Sequence, residues 1–424
     1  MKVTGIIAEY NPFHNGHAYH LNEARNRLGS DYIVVVMSGN YVQRGAPTII
    51  DKYSRCEMAL KCGADLVLEL PACYSTASAE YFAHGGVAIL DRLAVVDSLC
   101  FGTESLDRIV KNPDSEEKAV DEILSYFETI ADLMLNEPDE YKAALRERLR
   151  EGVSSAAAMD YAVGKVLGAE YEQVLETSNN ILGVEYVKAL KRLGSSIKPE
   201  PTARMLTAHN DQAIFDGFSS ATAIRNAIFN SYDPTSLMAT VPKDVYDILM
   251  DRYLVSFPVF RDDFSTILGE KIVCAESAGD FMEYFGITED LANRIFRHRN
   301  EFRSFNQFRE LINTNCFSKA TVGRALMHIT LGIKDEDMAG LKNDDGLRSV
   351  RMLGFRRSAE PLLSEIKKKG RIKLVSKLAD YSSEDEDYDM IERTVRNDML
   401  YRLVCMNKFD VDLKSPYEYG VVIV

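Results

Sequence analysis

The sequence predicts an α/β protein with a helical second half. A parallel sheet covered on both faces is expected over residues 1 to about 230, and mostly α-helix from there to residue 424. Three observations predict this. Four short apolar runs (Val3 to Ala8, Tyr32 to Met37, Asp65 to Leu70, Val95 to Phe101) alternate with stretches of helical periodicity. Runs without a polar face fit strands buried on both sides of a parallel sheet. Each run is closed by polar residues or a breaker: Glu9-Tyr10-Asn11-Pro12, Ser38-Gly39-Asn40, Pro71 and Gly102-Thr103-Glu104. Beyond residue 231 such runs give way to helical patterning. Ligands of parallel sheets bind at the carboxyl ends of the strands, so those closing residues are where a site is expected.

The first run, Val3 to Ala8, is broken by Asn11-Pro12, and a helix is expected from Asn15 or Gly16. His14 and His17 stand three apart across that start and can face one point. Unpaired N–H groups and the positive end of the helix dipole suit a phosphate there. Two imidazoles add donors for charge growing on a phosphoryl oxygen, and Gly16 lets a nucleotide lie against the backbone. The plainer alternative is a helix capped by Asn15 with two solvated histidines.

The second run is followed by Gln43-Arg44-Gly45, which either reaches an anionic or amide-bearing ligand or forms a solvated loop. Asp51 to Gly63 has helical periodicity, and within it Arg55 is expected at the surface or paired with Asp51 or Glu57. A third strand ends at Pro71, a helix covers Ala77 to Leu93, and a fourth strand leads to Gly102. Residues 106 to 176 are helical with acid-rich faces and are expected as an insertion in the α/β domain. Asn179 and Asn180 open the next helix and either can cap it. A last strand edge is expected at Ile197 to Leu206, with Arg204 near its end. Ser219-Ser220-Ala221-Thr222-Ala223-Ile224-Arg225 reads as a helix cap. The same geometry lets Ser220, Thr222 and Arg225 hold β- and γ-phosphates. A final strand is expected within Tyr419 to Val424.

Net charge is −14, which by itself counts against a nucleic-acid partner. Its distribution points the other way. One cluster holds Arg294, Arg297, Arg299, Arg303, Arg309, Lys319, Arg324 and Lys334 among phenylalanines. A second holds Arg348, Arg351, Arg356, Arg357, Lys367, Lys368, Lys369, Arg371, Lys373 and Lys377. Basic residues segregated in an acidic chain fit a phosphate-rich polymer. Seven scattered cysteines without a CxxC pair argue against a disulfide framework and a structural zinc. No apolar run approaches a membrane span, and signal-peptide anatomy is lacking. A cytoplasmic protein without membrane association is expected.

The strand-HNGH-helix start resembles the HxGH nucleotidyltransferase superfamily, and SSATAIR resembles its second motif. The runs IIAEYNPFHNGHAYHL, VVMSGNYVQRGAP, DLVLELP, LCFGTES, SNNILGVEYVKAL and TAR resemble one branch, the bacterial tRNA(Met) cytidine acetate ligase family, over residues 1 to 230. The resemblance implies a Rossmann-like nucleotidyltransferase domain over 1–230 and a mostly helical, basic tRNA-binding domain over 231–424. It implies activation of acetate by ATP as acetyl-adenylate, then acetyl transfer to N4 of the wobble cytidine of elongator tRNA(Met). The implied catalytic residues are His14 and His17. Implied ATP contacts are Ile7, Ala8, Glu9, Tyr10, Asn11, Pro12, Phe13, His14, Asn15, Gly16, His17, Ala18, Tyr19 and His20, with Gly102, Asn179 and Arg204. Mg²⁺ is expected on the phosphates, without an evident protein ligand set. From the basic segregation, Arg348, Arg351, Arg356, Arg357, Lys367, Lys368 and Lys369 are the candidate tRNA contacts. Two other functions share parts of this pattern: a small-molecule adenylyltransferase of cofactor metabolism, and a non-catalytic nucleotide- or RNA-binding regulator.

Overall fold

The structure, a computed structural model, describes residues 1–104, 116–203, 220–231, 234–339, 341, 347–382, 384 and 388–424. Its frame is an eight-stranded sheet. β1 (Val3–Ala8), β2 (Tyr32–Ser38), β5 (Leu66–Leu70), β6 (Ser98–Thr103) and β7 (Lys198–Ala203) come from the first half. β8 (Ser349–Phe355), β9 (Lys373–Val375) and β10 (Val422–Ile423) come from the second. A separate two-stranded pair, β3 (Tyr41–Val42) and β4 (Ala46–Pro47), forms the loop after β2.

The strand order is β10-β8-β5-β2-β1-β6-β7, with β9 also on β8. Neighbours run parallel except β5 and β8, which are antiparallel. From β1 the chain moves outward to β2 and β5, then returns to the other side of β1 for β6 and β7. The order therefore reverses between β1 and β6. A crevice opens at such a switch point, outside the carboxyl ends of the strands.

Alternate residues of each strand serve opposite faces. Ile33, Val35, Met37 and Val67 pack on one side with Ile6. Val34, Val36, Leu66, Leu68 and Leu70 pack on the other with the helix after β5. The helices α1 (Asn15–Asn26), α2 (Lys52–Lys61), α3 (Ala72–Ser75) and α4 (Ala79–Arg92) connect the first strands. Asp51 caps α2 by accepting from the Tyr53 and Ser54 amides. The insertion supplies three helices, Glu116–Asn136, Asp139–Arg150 and Ser155–Leu167. Helix Ser178–Leu193 then leads to β7.

The second half has its own apolar core, where helices Ser265–Val273, Glu289–His298, Phe305–Ile312 and Lys319–Leu331 pack with helix Tyr388–Phe409. Its helical character is as expected, but β8, β9 and β10 return to the main sheet, and of these only β10 is expected from the sequence. The two halves are also joined through buried polar contacts. The Lys52 Nζ lies 2.6 and 2.7 Å from the two Glu69 carboxylate oxygens and also binds Asp398 on the long C-terminal helix. His328 places Nδ1 2.7 Å from the Phe285 carbonyl and Nε2 3.0 Å from that of Thr76. Among the described residues no helix is long and apolar enough to cross a membrane.

Candidate active site

Immediately after β1 the backbone turns through Tyr10, at a φ of 48°, into the start of α1. The two histidines build that start together. His14 is the N-cap, and its Nδ1 accepts the Gly16 N–H at 3.1 Å. The His17 Nδ1 accepts the His14 N–H at 3.2 Å. The rings stack with centroids 3.7 Å apart. Because both Nδ1 atoms accept, each neutral ring carries its proton on Nε2, as the hydrogen-bond pattern assigns it. Each ring thus carries one N–H, while the first-turn amides are already used: that of Asn15 by the Thr240 carbonyl, that of Gly16 by His14 Nδ1, and those of His17 and Ala18 by the His14 carbonyl. A Cβ on Gly16 would stand 3.0 Å from the His14 ring, so the stack and the glycine depend on each other.

The second motif closes on the first. Arg225 donates through Nη1 to the Asn11 carbonyl at 2.7 Å and through Nη2 to Thr222 Oγ1 at 3.1 Å. Ser220 Oγ accepts the Ala223 N–H, which is its capping role. From the same region, the Thr240 carbonyl accepts the Asn15 N–H and the Ala239 carbonyl accepts from the Asn15 side chain. Segments some 200 residues apart in sequence become one bonded unit.

A cavity of about 690 Å³ opens at the switch point. Of the expected segment, Ile7, Ala8, Glu9, Tyr10, Gly16, His17, Tyr19 and His20 line it, as do Gly102 and Asn179. A Cβ on Gly102 would meet nothing within 4 Å, so this wall is open to a ligand. Asn180 is buried and accepts the Glu104 N–H, whereas Asn179 binds Glu104 through its side chain and faces the cavity. Of these two neighbours, left open in the sequence, Asn179 is the one on the cavity wall. Phe13 is buried in the core against Tyr10, and Asn11, Pro12, His14, Asn15 and Ala18 are not on the cavity wall. Arg204 lies outside the described residues.

Several wall residues carry no mark in the sequence as contacts. Ser154, Ser155 and Met159 come from the helical insertion, and Ser318 and Thr321 from the second half. No local pattern singles them out, because their place follows from how distant segments pack. Gln43 and Arg44 do reach the wall. Arg55 is a correction. It is not a surface residue: it is fully buried, and its guanidinium donates to the carbonyls of Ile50, Glu9, Ser38 and Gly39. It ties the ends of β1 and β2 together. Burial brings its pKa down to about 10.

The charges around the cavity are predominantly positive. Burial lowers Arg225 to about 10, opposed by the Glu9 charge. Burial and the neighbouring Arg309, Arg225 and Arg44 charges lower Arg261 to about 9. Arg261 is fixed by donating to the Gly45 and Arg44 carbonyls at 2.9 and 3.0 Å. A Cβ on Gly45 would fall 2.0 Å from the Gly323 carbonyl carbon, so the loop lies directly on the helix that carries Arg324. Among the described residues, Glu9 is the one carboxylate on the cavity wall. Burial raises its pKa, countered by the Gln43 amide and by Arg225, Arg44 and Arg55.

The candidate tRNA residues are dispersed. Arg351 is another correction: it is buried, donating to Tyr53 Oη and the Pro416 carbonyl, and so is not on an exposed surface. Arg356 is half-buried and donates to the Leu60 and Lys61 carbonyls. Arg348 and Arg357 are exposed. Lys367, Lys368 and Lys369 are exposed, with the last two paired to Glu365. Lys368 and Lys369 border a hollow with Met1, Asp97 and Ile197, residues that precede β1, β6 and β7. That is the amino end of the strands, about 20 Å from their carboxyl ends for strands of this length.

Among the described residues no group of three or more His, Cys, Asp or Glu side chains could hold a metal ion. The wall carboxylate of Glu9 faces guanidinium groups, so the described protein donors do not make a Mg²⁺ site.

Residues 1–414 match the HIGH nucleotidyl transferase family. The chain is 40% identical over 387 residues to the tRNA(Met) cytidine acetate ligase of Acetivibrio thermocellus, covering 90% of this chain and 89% of that protein. It is 38% identical over 409 residues to that of Caldanaerobacter subterraneus, covering 96% of each. Its fold is similar to the crystal structure of apo Thermotoga maritima TmcAL, with a TM-score of 0.89, 30% identity and the full length of both chains. A structure of TmcAL bound with alpha-thio ATP gives a TM-score of 0.86 at 29% identity, covering 100% of this chain and 99% of that one. A nucleotide-type crevice, a full-length sequence match and a full-length structural match agree, and the chain belongs to the tRNA(Met) cytidine acetate ligase family of HIGH nucleotidyltransferases.

Proposed function

We propose that the protein is an ATP-dependent ligase that joins acetate to a cytidine of tRNA(Met), with acetyl-adenylate as the intermediate. The observation that carries the chemistry is the stacked His14–His17 pair at the helix start, bolted through Asn11 to Arg225. Donors fixed in this way stabilise charge developing on a phosphoryl group without reorganising during the step. Acetate attacks the α-phosphorus of ATP and pyrophosphate leaves. His14 and His17 supply Nε2–H donors, and Ser220, Thr222 and Arg225 hold the departing phosphates. Ile7, Ala8, Glu9, Tyr10, Gly16, His17, Tyr19 and His20, with Gly102 and Asn179, form the nucleotide pocket. Mg²⁺ carried on the phosphates would neutralise part of their charge; the described residues supply no cluster of ligands for it.

The cytosine amine is a weak nucleophile, since its lone pair is delocalised into the ring. Free acetate is a poor acylating agent, and the adenylate supplies the leaving group. No covalent enzyme intermediate is needed.

The tRNA approaches over the arginine rim of the cavity. Arg44 and Arg324 lie on the wall, with Arg261 and its neighbour Arg309 next to Arg44; among the described residues the buried Arg309 Nε lacks a hydrogen-bond partner, while its Nη2 pairs with Glu310. Like charges gathered at a mouth, in a chain of net charge −14, favour a polyanion. The same rim disfavours the small-molecule adenylyltransferase reading, which has no use for it. The test is to incubate the protein with ATP, acetate and tRNA and weigh the released nucleosides. A cytidine heavier by one acetyl group is expected, with AMP and pyrophosphate formed. Transfer of AMP itself to a small acceptor would replace this reading with the adenylyltransferase.

A further inference from the structure

We infer that the Glu9 carboxylate is the proton acceptor of the second step, taking the proton that the cytidine amine must lose as it is acetylated. This rests on the ligase reading above and deepens it. In that step the amine nitrogen attacks the acetyl carbonyl carbon and the bond from that carbon to the phosphate oxygen breaks. AMP leaves with the electron pair, and one N–H proton passes to Glu9 and then to water. The redox state of every atom is unchanged.

The geometry singles out this side chain. Glu9 follows β1 directly at the switch point and, among the described residues, is the one carboxylate on the cavity wall. Its backbone is held by Arg55, which donates to its carbonyl at 2.7 Å. Its Oε1 is held by the Gln43 N–H at 2.8 Å. Oε2 accepts no hydrogen bond from the described residues and remains for a ligand N–H.

The histidines of the motif are unsuited to this task. Both Nδ1 atoms already accept backbone N–H groups, so their Nε2 atoms are donors. A carboxylate also repels ATP oxygens, so its presence in a phosphate pocket calls for a partner that donates protons. A metal is not that partner, because Arg44, Arg55 and Arg225 surround it. The other titratable groups facing this space are Tyr10, Tyr19, Tyr186, His17, His20 and Arg324. Burial raises the proton affinity of Glu9, against the pull of the three guanidiniums, and this moves it toward the range useful to a base.

The test separates the two steps in Glu9→Gln and Glu9→Asp. Adenylate formation is read as acetate-dependent exchange of pyrophosphate into ATP, and transfer as single-turnover acetylation of tRNA by preformed adenylate. In Glu9→Gln transfer is expected to fall about 10²–10⁴-fold and to lose the acidic limb of its pH profile, a loss at least about tenfold greater than that of pyrophosphate exchange. Glu9→Asp keeps the carboxylate and is expected to regain about tenfold or more of the lost transfer. Equal losses in both steps, or parental transfer with a parental pH profile in Glu9→Gln, overturn the assignment. Should Glu9→Gln not fold, Glu9→Asp decides: transfer slowed more than exchange supports it, and equal slowing overturns it. A parent protein that shows no acetate-dependent exchange overturns the ligase reading itself, and the role of Glu9 with it.

Discussion

His14 and His17 cap each other: each Nδ1 accepts one backbone N–H of the same helical turn, and their rings stack 3.7 Å apart. The Nδ1 atoms hold the helix start, and in the proposed reaction it is the Nε2–H groups that meet phosphate.

Replacing His17 by alanine removes a donor and one capping bond together. Acetate-dependent pyrophosphate exchange is expected to fall about 10²–10³-fold, against about 1 kcal/mol of stability from the missing cap. Exchange assays beside urea unfolding check both figures. A variant that exchanges at the parental rate removes the histidine pair from the mechanism.

Arg55 is expected to be intolerant of change. Arg55→Met leaves the carbonyls of Ile50, Glu9, Ser38 and Gly39 without their shared donor. Each orphaned buried acceptor costs roughly 1–3 kcal/mol, so a loss of at least about 3 kcal/mol is expected by denaturant titration. Arg55→Lys keeps the charge but not the fork, and is expected to raise KM for ATP, because Glu9 and Tyr10 lose their anchor.

His328 predicts a pH dependence of stability. Burial holds its pKa at about 4, below the ordinary 6.5, despite the carbonyls of Phe285 and Thr76 favouring the charged ring. The folded state therefore prefers the neutral form. The contribution is complete above about pH 6.5 and is lost as pH falls toward 4, by up to about 3 kcal/mol. Unfolding free energies of the parent and of His328→Asn, measured across that window, are expected to differ in slope, the variant being flatter. Parallel curves would show that His328 does not titrate on unfolding.

The arginine rim and the lysine run make opposite predictions. Arg309→Glu with Arg324→Glu is expected to weaken tRNA binding and to reduce the salt slope by about 0.7–0.9 for each phosphate that is no longer neutralised. Reversing Lys367, Lys368 and Lys369 is expected to leave acetylation within about twofold of the parent at low salt, since these exposed side chains sit at the amino end of the strands. Filter binding across a salt series, beside the acetylation assay, reads both. A larger effect from the lysines would move the RNA surface to that end.

Much of this architecture is legible in the sequence because it is local. Val3–Ala8 and the turn into α1 are specified by an apolar run, a breaker and a capping turn within some twenty residues. What is missed depends on distant partners. β8 hides because Arg351 interrupts its apolar pattern, and nothing nearby reveals that Tyr53, Pro416 and Asp398 surround that charge. Arg55 has acidic neighbours in sequence that suggest surface pairs, whereas its partner carbonyls come mostly from the ends of two strands. The lysine run is visible as charge, but which end of a sheet it occupies is decided only when β8 joins β5.

That antiparallel pairing of β5 with β8 has a consequence for how the protein can be divided. Cutting the chain near residue 230 would separate the nucleotide motifs from everything after them, yet it would also strip β8 from β5. A fragment made in this way would present Leu66, Val67 and Leu68 along a bare strand border, the kind of template on which chains pair and precipitate. The later portion completes the sheet on which the earlier one is built.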